Sequence, residues 1–168
     1  MKVTAQTCQA SDRETNPNSY VDACQGTYPG TTCTQNRLAC QDTNIESPRA
    51  QTNQYCGDKG RYYNTSVTNC QHILNVQACH RWRITATNPT NCDISISQDG
   101  NSWNQISNTC YTTYPTTQCT DVTTTYTWTC NNFFGTTPTG PYIRQNAMSN
   151  QNNKNCNTDA LYYSITYT

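Results

Sequence analysis

Twelve cysteines in a chain with very few large aliphatic side chains constrain this sequence more than any other feature. They are Cys8, Cys24, Cys33, Cys40, Cys56, Cys70, Cys79, Cys92, Cys110, Cys119, Cys130 and Cys156. Val, Ile, Leu and Phe together number 18 of 168 residues, about 11%. A chain below roughly 20% on that measure ordinarily cannot bury enough apolar surface to offset its ordering entropy. Thr, Asn and Gln number 66, so a polar chain must be held by something other than an oily core. Disulfides are the evident means, each typically worth about 2–4 kcal/mol. All twelve cysteines are therefore expected to be oxidised, in an extracellular compartment. Zinc sites announce themselves as cysteines two to four residues apart. Here the closest two, Cys33 and Cys40, have six residues between them, and no Cys-x-x-Cys-His for haem occurs. No metal or other cofactor is expected.

Charge narrows the partners. Ten basic and ten acidic residues cancel, and only 12% of the chain is charged. That balance argues against nucleic acid and against an anionic membrane surface. No stretch approaches 18 apolar residues, so no membrane insertion is expected. Met1-Lys2-Val3 is not followed by an apolar signal core. The signal peptide of a secreted protein is thus expected to be absent from this chain.

A repeat suggests the organisation. Cys24-Gln-Gly-Thr-Tyr-Pro-Gly-Thr-Thr-Cys33-Thr34 matches Cys110-Tyr-Thr-Thr-Tyr-Pro-Thr-Thr-Gln-Cys119-Thr120 at seven of eleven positions. A third Cys-x8-Cys pair, Cys70 and Cys79, lies between them, and Asn18, Asn64 and Asn104 each stand six residues ahead of a pair. In this register the twelve cysteines fall into three fours. A single domain over 1–168 is expected, with internal units 8–54, 55–98 and 99–168. The fold class implied is all-β with little helix, either a pseudo-threefold, β-trefoil-like domain or a tandem array of small disulfide modules. The repeat further implies equivalent bonding for Cys24–Cys33 and Cys110–Cys119.

Local patterns favour strands. Arg81 to Thr87 has strand composition and ends on the turn signal Asn88-Pro89. Asp93 to Gln98 alternates with period two, Asp99-Gly100 supplies a turn, and Trp103 to Ile106 returns as a hairpin arm. Val122 to Cys130 and Leu161 to Thr168 alternate as well. The C-terminal strand, Tyr162 to Thr168, is a candidate sheet edge for pairing with another chain. Asn69 to His80 is the only stretch that reads as a short helix. Gln145 to Asn157 reads as a mobile Asn-rich connector.

No catalytic constellation stands out, and the chain is not expected to be an enzyme. His72 and His80 are its only histidines. A dyad with Asp58, Asp93 or Asp99 is arithmetically open, but no spacing selects one, and both imidazoles are expected at the surface. Trp82, Trp103 and Trp128 are the candidate sugar platforms. Ser97-Gln-Asp-Gly-Asn-Ser-Trp103 resembles hairpins of carbohydrate-binding sandwiches and Asp-box propellers, though one Asp-box spacer is missing. Thr123, Thr125, Thr127 and Thr129 would share one strand face at about 6.6–6.8 Å intervals. That row resembles the threonine ladder of some insect antifreeze proteins. Asn64-Thr65-Ser66 is a glycosylation sequon, used if the host is eukaryotic.

Taken together, these features imply a non-catalytic extracellular structural or adhesive protein, a subunit of a cell-surface assembly, filament or coat. The alternatives are a small glycan-binding, lectin-like module and an ice-binding protein. Self-association or a cell-surface glycan would be the partner.

Overall fold

A computed structural model describes residues 1–11 and 49–168, and all structural statements concern those residues. The fold is all-β, with two antiparallel sheets and one helical turn. In chain order the strands are β1 (Val3–Gln6), β2 (Gln9–Ser11), β3 (Arg49–Ala50), β4 (Tyr55–Tyr63), β5 (Ile73–Ile84) and β6 (Thr90–Ser97). They continue with β7 (Asn104–Ser107), β8 (Gln118–Asp121), β9 (Tyr142–Met148) and β10 (Lys154–Tyr167), and α1 (Cys130–Phe133) precedes β9. One sheet runs β1-β10-β5-β8, with β3 also on β10; the other runs β2-β4-β9-β6-β7.

Period-two alternation explains how the sheets meet. On β5, Val76, Ala78, Trp82 and Ile84 point inward, and on β10 Leu161, Tyr163 and Ile165 meet them. Ile94, Ile96, Ile143, Ala147 and Tyr62 of the second sheet close the same apolar cluster. Aromatic rings supply much of what the aliphatics lack. Phe133 lies 5.1 Å from Trp128 and 5.3 Å from Tyr163, and Phe134 lies 5.1 Å from Tyr167. Thr7 carries the chain from one sheet to the other. Fully buried, it donates its backbone N–H to the Tyr163 carbonyl and accepts the Tyr163 N–H on its hydroxyl.

Four bridges are described: Cys56–Cys156, Cys70–Cys130, Cys79–Cys119 and Cys92–Cys110. Cys8 is oxidised too. The four are nested, outermost to innermost, in the order just given. Each joins the stretch 55–98 to the stretch 99–168, and none closes a loop within either. Cys56–Cys156 links β4 to β10 and so staples one sheet to the other. Neither described Cys-x8-Cys pair is a direct bridge, since Cys70 bonds Cys130, Cys79 bonds Cys119 and Cys110 bonds Cys92. Cys24, Cys33, Cys40, Asn18 and the first copy of the repeat lie outside the described residues. Two antiparallel sheets organise what is described.

Several local expectations are corrected. Residues 73–80 are strand, not helix: the alternation of Val76, Ala78 and His80 continues that of Trp82 and Ile84, and pairing with β10 overrides helix propensity. The Asn-rich stretch 145–157 is not a loose connector. It contains most of β9 and the start of β10, and only a tight turn around Asn153 (φ 57°) separates them. Gln145 is fully buried there and accepts the Thr158 hydroxyl at 3.4 Å, a polar pair inside the core. The C-terminal strand is no sheet edge, because β10 is paired by β1 on one side and β5 on the other.

Residues 122–130 are not a strand either. The Thr123 hydroxyl accepts the Val76 N–H at 2.9 Å and so takes the place of the next ladder partner. The Thr125 N–H then turns back onto the Val122 carbonyl, and the chain leaves the sheet. The expected hairpin does form: Ser95 pairs with Gln105 and Ile96 with Asn104, and Gly100 adopts φ 83°.

Candidate functional site

The three tryptophans have different surroundings. Trp82 is fully buried in the core, where the Tyr111 ring meets it edge-on at 5.6 Å. Trp128 is half-buried and wedged among Tyr126, Phe133 and Tyr163, with its indole N–H donated to the Val122 carbonyl. Both serve packing. Trp103 alone stands on the outward side of a sheet, half-buried at the end of the β6–β7 loop.

That loop is built around Asp99. Its carboxylate accepts the N–H groups of Asn101 and Ser102 and the Ser97 hydroxyl. The Ser102 and Asn101 backbone bonds, followed by the Ser97 hydroxyl, hold the Asp99 carboxyl below its usual range. Gly100 is required twice over: its φ is left-handed, and a Cβ there would lie 2.9 Å from the Tyr142 ring.

Beneath the loop, the strands carry a stack. Arg144 of β9 lies 4.3 Å from the Trp103 ring centre and Lys59 of β4 lies 5.6 Å from it, while Tyr142 meets the indole edge-on at 6.2 Å. Arg144 is in turn ion-paired to Asp93 at 3.2 Å, and the same carboxylate accepts Ser95 and Gln105. The indole is therefore held against an ion-paired and hydrogen-bonded side-chain network, which fixes its orientation. Burial, with a smaller contribution from the Arg144 charge, lowers the Lys59 pKa. Chemically, the arrangement offers a positioned aromatic surface bordered by amide and hydroxyl groups.

A second stack occupies the outward side of the other sheet. Arg81 and Arg83 lie 4.8 and 4.9 Å from the Tyr114 ring centre, and Arg81 is ion-paired to Asp159 at 2.8 Å. Sequence reasoning placed Trp103 and Gln105 on one hairpin arm but named none of Lys59, Tyr142 or Arg144 beside them. Only the alternation of Tyr142 and Arg144 could have pointed to β9.

The remaining candidates are scattered. Thr123, Thr125, Thr127 and Thr129 belong to a turn and the lead-in to α1, so they form no strand-face ladder. Thr129 instead caps α1 through reciprocal bonds with Asn132. Asn64 donates its side-chain amide to the Gln6 carbonyl, and Thr65 of the sequon bonds Gln9. His72 is exposed, as expected, whereas His80 is buried beside Tyr111 with no partner on Nδ1. Among the described residues neither histidine is bonded to an aspartate, and no three His, Cys, Asp or Glu are gathered as metal ligands would be. No helix there is long and apolar enough to cross a membrane.

His80 makes stability depend on pH. Burial lowers its pKa from 6.5 to about 4. Above 6.5 the imidazole is neutral in both states and contributes no pH dependence. As pH falls from 6.5 to 4, the unfolded chain takes up a proton that the folded one refuses, so stability is lost across that window. The full loss is about 3 kcal/mol. Urea unfolding at pH 7 and at pH 4 should show this drop, and His80→Leu should remove most of it. Equal drops in the two proteins would overturn the assignment.

No protein-family model matches the chain, and no curated protein or solved structure matches it.

Proposed function

We propose that this domain is a non-catalytic structural or adhesive building block of the cell exterior, a subunit of a surface assembly, filament or coat. One observation supports the reading above the others: four nested bridges close the strands of both sheets into one covalent body. Such closure raises resistance to unfolding and proteolysis. It is also consistent with an extracellular location. Electron microscopy and light scattering of the purified oxidised protein test the proposal. Filaments, sheets or regular oligomers are expected as concentration rises, and a strictly monomeric protein at high concentration would overturn it.

A second reading, a glycan-binding module, is favoured by Trp103. An aromatic face held by Arg144 and edged by Tyr142 suits the apolar side of a sugar ring, with neighbouring amides to meet its hydroxyls. A glycan array on the intact protein, followed by Trp103→Ala, distinguishes it. Binding that weakens about tenfold or more in the variant is expected under this reading. An array with no signal, or signal untouched by the substitution, would remove it.

A further inference from the structure

The four bridges are not equivalent. Cys79 and Cys119 are direct cross-strand neighbours, opposed in register on β5 and β8 with Cα atoms 4.1 Å apart. β8 is a four-residue strand at the sheet edge, paired only to β5. Cys119 is exposed, whereas its partner Cys79 lies buried on the outward side of β5 with Ala160 and Tyr162. Cys56 and Cys156 are fully buried, and no half-cystine of the other three bridges is exposed. An attacking thiolate needs in-line access to one sulfur. Cys119 is the one exposed residue among these eight, so it is the side most open to attack from bulk solvent.

Topology makes the loss of this bridge tolerable. Cys92–Cys110 already closes 18 of the 40 residues spanned by Cys79–Cys119, and Cys70–Cys130 still encloses both cysteines. Opening it would leave the inter-sheet core untouched. It would leave β8 held by the ladder at Gln77–His80, the Asn75–Asp121 side-chain bond and the turn at Thr123. The edge of β5 would then be available for another strand.

From this geometry we propose that Cys79–Cys119 is a thiol-exchange site through which a low-molecular-weight thiol frees the β8 edge. The incoming thiolate attacks Sγ of Cys119 and the Cys79–Cys119 bond breaks. Cys79 leaves as a thiolate and takes a proton from water, and Cys119 carries a mixed disulfide. A second thiol resolves that adduct, giving two protein thiols and one oxidised small disulfide. The site rests on exposure and register, and stands whether or not the protein assembles or binds glycans.

Graded reduced glutathione, an iodoacetamide quench and residue-level peptide mapping provide the test. Cys119 is expected to carry the glutathione adduct, with Cys79 alkylated, at a thiol concentration about tenfold below that which labels Cys56 or Cys156. Hydrogen exchange on the same partly reduced sample should quicken at residues 118–121 while β9 and β10 stay protected. A first adduct at any of the other six cysteines overturns the proposal. So does an adduct on Cys79 instead of Cys119, or labelling only when all bridges open together. Unchanged exchange in β8 would overturn the release step. The paired variant Cys79→Ser with Cys119→Ser should show no adduct in the low-thiol range. Mapping the native protein decides the matter even if that variant fails to fold.

Discussion

Removing Cys56 and Cys156 together, as the paired alanine variant, should cost this protein about 4 kcal/mol in chain entropy alone. The estimate uses the nesting. The bridge spans 100 residues, but Cys70–Cys130 has already closed 60 of them, so it adds a ring of 40. Both half-cystines are fully buried in the apolar cluster, and their lost packing adds to the entropic term. Reducing every bridge should go further and abolish the cooperative thermal transition. Stabilities of natural domains are about 5–15 kcal/mol, and four such losses, even when they do not add fully, are comparable to the whole of it. Circular dichroism melts with and without reductant, and urea titration of the double variant, measure both effects. A reduced chain that melts cooperatively near the oxidised temperature would refute the role given to the bridges. So would a loss below about 1 kcal/mol in the double variant. The aromatic core around Phe133, Trp128 and Tyr163 is what such a result would bring forward as the main support.

Gly57→Ala should be nearly as damaging, for a different reason. Gly57 of β4 faces Asn146 of β9, where the two backbones approach closely. A Cβ at this position would lie 2.0 Å from the Gln145 carbonyl oxygen and 2.8 Å from the Asn146 Cα. Both are backbone atoms of a central strand, so no rotamer change relieves the clash and β4 must move away from β9. Losses of about 3 kcal/mol or more are expected. Gly135→Ala is the matched control. Gly135 has φ 99° with nothing near the added methyl, so only backbone strain of about 1 kcal/mol applies. Equal losses in the two variants would show that the close approach at Gly57 is easily relaxed.

The tryptophan site was half legible beforehand. Ser97 to Trp103 read as a turn whose indole folds back, because Asp99, Gly100 and the flanking alternation are local signals. Its supports were not legible. Lys59, Arg144 and Asp93 lie 34 or more residues from one another in sequence, and only the β4-β9-β6 order brings them together. The same ordering reversed the reading of the stretch 145–157, whose asparagines suggested a loop, whereas its Gln145 lies in the core on β9.

Composition and local alternation alone determined that this is a disulfide-dense β protein with a hairpin over 93–106 and a strand at its C-terminus. Those properties follow from side-chain chemistry and from a period that each short segment carries within itself. Which cysteine meets which, and which strand is central, were decided only in three dimensions. Twelve identical thiols carry no label for their partners, and an alternating strand does not specify its neighbour. Burial of the inward rings of β5 and β10 against β4, β6 and β9 selects one strand order, and that order brings the four bridged pairs within bonding distance.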